Sequence, residues 1–135
     1  MDNRNEILEY HSGGKVGLSL TSKLSNLAEL CMAYTPGVAE AVRAIDNNDD
    51  LAYQYTVKGN AIAVVSDGSA ILGLGNLGPL PSIPVMEGKA ALFKAFADID
   101  AWPVPLSGCS GIDGRTDPGK IVEHVCALSP MYGGI

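Results

Sequence analysis

The order of apolar and polar residues along the chain predicts alternating helices and strands. After Thr35–Pro36, apolar residues recur at i, i+3, i+4 and i+7, which predicts a helix that Thr35 caps and Pro36 begins. Residues 61–65 form a continuous apolar run between polar neighbours, which is typical of a buried strand. The clearest helix is predicted from Ser82 to Ala97, with Ser82 as its cap, and Asp117–Pro118 opens a last helix.

Weaker patterns complete the expected architecture. They predict a short helix within residues 1–10, a short strand at 16–20, a helical turn at 51–55, a hairpin strand at 71–72 paired with 61–65, and a strand at 101–106. The last of these is expected at an edge of the sheet, because Pro103 and Pro105 cannot donate to a central ladder. Strands mixed with helices predict the α/β class, as one domain over residues 1–135 with a small mixed sheet flanked by helices.

Composition narrows the classes of function. The chain has 135 residues, is 47 % hydrophobic and carries a formal charge of −6, so it can bury a core and lacks the basic surface that nucleic acids require. Its three cysteines form no CxxC pair, which indicates reduced thiols, and two histidines leave no Cys/His zinc site. Neither a signal peptide nor a membrane-length apolar run is recognised. We therefore expect a soluble cytoplasmic protein with no nucleic-acid or membrane partner.

Residues 73–78 match the G-x-G-x-x-G pattern of dinucleotide-binding turns. That chemistry needs a strand before the glycines and a helix that opens within them, so that free N–H groups point at the pyrophosphate. Pro79, Pro81 and Pro84 exclude a helix that starts at Gly75. The favoured interpretation is a tight structural turn, while cofactor binding and a loop lining another ligand's pocket stay open; no cofactor-binding residue is predicted.

Lys89 is placed unusually on the predicted helix from Ser82. At 100° per residue it lies between Val85 and Phe93 in the middle of the apolar face. Its stem could pack there while the ammonium group reaches water. It could equally line a cleft, where desolvation would favour the neutral amine and make it a base. The pattern leaves both interpretations open.

Tyr34 presents a similar choice, because it immediately precedes the predicted helix start at Thr35–Pro36. It could be a packed side chain that fixes the entry of the chain into the helix. Alternatively, it could stand beside unpaired helix N–H groups that hold a substrate carboxylate, with Gly37 leaving room for a close approach.

Four blocks of sequence together resemble the N-terminal domain of malic enzymes, most closely the short bacterial form. In order and at family spacing they are residues 33–39 (AYTPGVA), 64–68 (VVSDG), 71–78 (ILGLGNLG) and 83–89 (IPVMEGK). The resemblance covers nearly the whole chain and is weakest at 107–119, where the loop is longer. The larger members carry a malate-binding arginine where this chain has Ala70.

The resemblance implies a reaction and two site residues. Malic enzymes oxidise L-malate with NAD or NADP and decarboxylate the product to pyruvate, helped by Mg²⁺ or Mn²⁺. By resemblance, Lys89 is the general base for the C2 hydroxyl group and Tyr34 the proton donor to C3 of the enolate. In that family the metal-binding Glu-Asp pair and the cofactor domain follow a segment like 133–135. We therefore expect this chain to lack both, with no metal ligands of its own.

The leading hypothesis is a substrate domain that is inactive alone, that needs NAD or NADP and a divalent cation bound elsewhere, and that forms a homodimer. A stand-alone, non-catalytic module that binds malate-like diacids or a partner subunit is the alternative. A minimal nucleotide binder built on Gly73–Gly78 is a third possibility, which the prolines disfavour.

Overall fold

A computed structural model describes residues 3–135 and contains two parallel strands crossed by a long helix. The helices are α1 (Arg4–Tyr10), α2 (Leu27–Ala33), α3 (Val38–Asn47), α4 (Ala52–Tyr55), α5 (Pro79–Ala97) and α6 (Pro118–Leu128); the strands are β1 (Ala61–Ser66) and β2 (Asp100–Pro105); short 3-10 turns cover Asp49–Leu51 and Val57–Gly59. Over the residues described, none of the helices is long and apolar enough to cross a membrane.

The core lies between helix α5 and the sheet. β1 pairs with β2 in parallel from Ala61↔Asp100 to Ser66↔Pro105, and α5 is the crossover between them. Four buried residues form the centre of the core, with Val16, Ile62 and Phe93 packed against them: Val64, Met86, Ala90 and Ala101. Two of the four are alanines, so the helix can lie close to the sheet. The α/β class is confirmed.

Two predicted strands are absent from the described part of the chain. Residues 71–72 lie in a tight turn, in which the Ile71 N–H group donates to Gly75 O at 3.1 Å and Leu72 has a φ of 46°. The partner of β1 is therefore the distant β2, in parallel, and not a hairpin strand. Residues 16–20 have no regular secondary structure and pair with no described strand. Val16 faces the core, whereas Leu18 and Leu20 face solvent.

Two helices begin elsewhere than predicted. Helix α5 begins at Pro79, because prolines are tolerated in a first turn, whose N–H groups need no partner. Ser82 is therefore inside the helix, where its hydroxyl group donates to Pro79 O at 2.6 Å. Helix α3 begins at Val38, and Gly37 takes the cap position expected for Thr35. The start of α6 was predicted correctly, since Asp117 Oδ1 accepts from the Gly119 N–H group at 2.9 Å.

Candidate active site

A cleft of about 240 Å³ opens between the carboxyl end of β1, the turn at 70–72 and helix α5. Ten residues line it, and Lys89 has the only charged side chain among them. Most of the lining is aliphatic. Of its two serines, Ser82 already donates to Pro79 O at 2.6 Å and lies 3.1 Å from Met86 Sδ. Among the described residues, Lys89 is thus the one charged side chain in a mostly aliphatic lining.

Lys89 belongs to a solvent-facing stripe of α5. The face of the helix toward the sheet carries the buried Ser82, Met86 and Ala90. The residues of the apolar face predicted around Lys89 do not all face the core. Phe93 packs on the core, whereas the other three side chains are exposed to solvent: Val85 by 39 %, Leu92 by 57 % and Phe96 by 85 %. We call the residues Val85, Leu92 and Phe96 the α5 stripe. In this chain, water reaches both the stripe and the amine.

A tight turn after β1 forms one wall of the cleft. Gly68 has a φ of +73°, and its carbonyl oxygen accepts from the N–H groups of Leu77 and Gly78, both at 3.2 Å. A bound pyrophosphate would need free N–H groups in the G-x-G-x-x-G segment, but two N–H groups at the end of that segment are used in these bonds. The geometry therefore supports the interpretation of this segment as a structural turn.

Asp67 ties this wall to the long loop 107–117. Its carboxylate accepts from the Thr116 hydroxyl group and, at 3.0 Å, from the Ser69 N–H group. Burial raises the pKa of Asp67, but these hydrogen bonds outweigh burial and hold the pKa below its ordinary value. This contact was not predicted from the sequence. The residues Asp67–Gly68 predicted a turn, but the loop 107–117 has no periodic pattern that would indicate what it contacts.

Tyr34 does not line the Lys89 cleft. It follows helix α2, and its side chain is 68 % exposed. The N–H groups at the start of α3, which could have held a substrate carboxylate, already donate to backbone carbonyl oxygens. The four bonds are Gly37 N–H to Cys31 O, Val38 N–H to Tyr34 O, Ala39 N–H to Pro36 O and Glu40 N–H to Gly37 O. Of the two site residues expected from the resemblance, Lys89 thus lines this cleft and Tyr34 does not.

Metal ligands do not cluster in the part of the chain that the structure describes. Within residues 3–135, no three His, Cys, Asp or Glu side chains lie close enough together to hold an ion. The three cysteines are free thiols, and Cys109 is buried. Burial raises the pKa of Cys109, as does the charge of Asp67.

Comparison with known proteins points to one family. The profile described as "Malic enzyme, N-terminal domain" matches residues 14–123. The chain is 46 % identical over 137 residues to the bifunctional malic/malolactic enzyme of Bacillus subtilis, and 47 % identical over 135 residues to the NADP-dependent malic enzyme of Halomonas elongata. The two alignments include 100 % and 98 % of this chain, but only 32 % and 30 % of the length of the two relatives.

Solved structures agree with these alignments. The malic enzyme of Pyrococcus horikoshii superposes with a TM-score of 0.90 at 45 % identity, over 98 % of this chain and 30 % of that one. The NAD-dependent malic enzyme of Thermotoga maritima gives a TM-score of 0.86 at 48 % identity, over 95 % of this chain and 35 % of that one.

Proposed function

This chain belongs to the malic enzyme family, and from that premise we propose that it is the substrate domain of an NAD- or NADP-dependent malic enzyme of the cytoplasm. The enzyme would convert L-malate to pyruvate and CO₂. The observation that carries the proposal is the position of Lys89, the one charged side chain among the described residues that line the cleft.

In the proposed reaction, the Lys89 amine takes the C2 hydroxyl proton. NAD or NADP, when bound to the enzyme, would accept the hydride from C2. Oxaloacetate forms, its C3–C4 bond breaks to release CO₂, and the Tyr34 hydroxyl group donates a proton to C3 of the enolate, which gives pyruvate. Residues 3–135 offer no cluster of side chains that could hold a divalent cation. We further propose that the 135-residue chain is inactive alone, since it spans a third or less of its curated relatives.

The exposed apolar surfaces support a homodimer. The α5 stripe lies open beside Lys89, and helix α2 exposes Leu27 and Met32 just before Tyr34. Exposed apolar patches of a protein surface often mark an interface. We propose that a second copy covers the α5 stripe with its helix α2, so that the tyrosine of one protomer approaches the lysine of the other. This arrangement would also remove water from the cleft.

The test is a chimera in which this chain replaces the matching segment of the Bacillus subtilis enzyme. We expect malate-dependent NAD(P)H production, lowered about 10²–10⁴-fold in kcat by Lys89→Met because a general base is lost. Tyr34→Phe should slow the release of pyruvate more than the first oxidation. Lys94→Met is the matched control, since Lys94 lies on the same helix and pairs with Asp98 and Asp100 outside the cleft.

Two results would contradict the proposal. If Lys89→Met left kcat within threefold of the parent chimera, Lys89 would not be the base. If the chimera folded without activity while the 135-residue chain bound L-malate in a calorimeter, a non-catalytic diacid-binding module would be the better description.

A further inference from the structure

A serine hydroxyl group lies at the carboxyl end of β1, where the Lys89 cleft opens. Ser66 is the last residue of β1, and it lines the cleft. Alternate residues of a strand share a face, so Ser66 faces helix α5, as the buried Val64 does. Ligands of parallel sheets commonly bind beyond the carboxyl ends of the strands. Ser66 is therefore placed where a small polar ligand in the cleft would meet the sheet.

The hydrogen bonding of Ser66 fixes its side chain and leaves its proton available. Ser66 Oγ accepts from the Gly68 N–H group at 3.0 Å, a bond that serine often makes in a turn. A hydroxyl group has one proton and two lone pairs, so this bond uses a lone pair and not the proton. In the part of the chain that the structure describes, the Ser66 hydroxyl group donates to no acceptor. It can therefore donate to a ligand.

The other polar side chains near this position have their hydrogen bonds within the protein. Ser82 is only 2 % exposed, and its hydroxyl group already donates to a backbone carbonyl oxygen of its own helix. Asp67 does not line the cleft, and its carboxylate accepts two other hydrogen bonds. Among the described lining residues, a negatively charged ligand would thus meet the amine of Lys89 and the hydroxyl group of Ser66, and no carboxylate.

We infer that Ser66 is a substrate-binding residue, whose hydroxyl group donates a hydrogen bond to a carboxylate oxygen of the diacid in the cleft. This inference rests on the proposed function for the identity of the ligand and for the role of Lys89. A lysine that acts as the base must be neutral before it takes the proton, so its charge is not available to hold the substrate. The Ser66 hydroxyl group holds the carboxylate without adding a second charge to the cleft.

The test is the pair of variants Ser66→Val and Ser66→Thr in the chimera. The two new side chains have nearly the same shape, but only threonine keeps a hydroxyl group. We expect Ser66→Val to raise KM for L-malate about 10- to 100-fold, the usual effect of losing a hydrogen bond to a charged group. The value of kcat should stay within threefold, because the bond is the same in the ground state and the transition state. Ser66→Thr should keep KM within threefold of the parent chimera.

Thr56→Val is the matched control, because it removes the same kind of turn outside the cleft. Thr56 Oγ1 accepts from the Lys58 N–H group, two residues along the chain, at 3.2 Å. Thr56 is exposed and does not line the Lys89 cleft. KM for L-malate should therefore change less than twofold. A rise as large as that of Ser66→Val would overturn the inference, since the loss of such a turn anywhere in the domain would then explain both.

The remaining outcomes separate this inference from the proposed function. A KM within threefold of the parent in Ser66→Val would overturn the inference, and so would equal rises of KM in Ser66→Val and Ser66→Thr, which would point to shape. An inactive parent chimera would contradict the proposed function. Calorimetric affinities of the chimera and the same two variants for L-malate would then still decide whether Ser66 holds the diacid. A parent chimera that neither reacts with L-malate nor binds it would overturn both.

Discussion

Replacing Gly68 with alanine should destabilise the chain more than the same change at Gly73. Both glycines have left-handed backbones, with φ of +73° and +77°. An alanine pays about 1–2 kcal/mol for that conformation at either site. The two sites differ in space: a Cβ on Gly68 would lie 1.8 Å from Gly78 O, whereas nothing lies within 4 Å of one on Gly73. The backbone therefore has to shift in Gly68→Ala but not in Gly73→Ala.

That movement sets the expected magnitude. Forcing backbone apart in a packed region costs about 1–3 kcal/mol more, so Gly68→Ala should lose about 2–5 kcal/mol and Gly73→Ala about 1–2 kcal/mol. The first loss is a large part of the ~5–15 kcal/mol that stabilises a domain. It should also weaken the bonds from Leu77 and Gly78 to Gly68 O, which hold one wall of the cleft.

Urea unfolding followed by tryptophan fluorescence measures the difference. The chain has a single tryptophan, Trp102, which lies on β2 and is 40 % exposed, so its fluorescence reports on the unfolding of the sheet. Gly75→Ala is a second control, because Gly75 has a φ of +88° and equally open surroundings. Equal losses of unfolding free energy at Gly68 and Gly73 would refute the argument that the contact with Gly78 makes glycine necessary.

Two further substitutions test other contacts. The folded-state pKa of Asp67 is depressed, so its contribution to stability is present above the unfolded-state pKa and is lost as the pH falls through the folded-state pKa. The stability advantage of the parent chain over Asp67→Asn should therefore be full at pH 6–7 and shrink below about pH 4; a constant difference across urea titrations from pH 7 to pH 3 would contradict this. Asp117→Ala removes the cap of α6 and should cost about 1 kcal/mol. The control is Asp113→Ala, which removes a hydrogen bond to the Arg115 N–H group within the loop and should lower the unfolding free energy by less in a urea titration. A larger loss for Asp113→Ala than for Asp117→Ala would contradict the role of Asp117 as the cap.

Local signals predicted those parts of the fold that local physics decides. Asp117–Pro118 marked the start of α6, because a cap and a first-turn proline act within one turn of helix. Residues 61–65 were identified as a strand by their continuous apolar run, which matches burial on both faces.

The errors occurred where distant residues decide. The apolar pair at 71–72 looks like a strand in sequence, yet β1 finds its partner across the crossover helix. The helix predicted with Ser82 as its cap begins at Pro79 instead, because a first turn accommodates proline. The motifs around Tyr34 and Lys89 identify a family, but they carry no information about the separation of the two side chains within one chain.

The prolines of β2 control how the sheet can grow. The N–H groups of Asp100 and Leu106 donate toward β1, so the N–H groups of residues 101, 103 and 105 point outward. Two of those positions are proline, and the third, Ala101, donates to Ile99 O at 3.1 Å. The outer edge of β2 therefore offers no free donor to an incoming strand. On the other side, β1 already bonds to Gly133 and Gly134. Addition of a strand to β2 is thus disfavoured, because its outer edge offers only carbonyl acceptors.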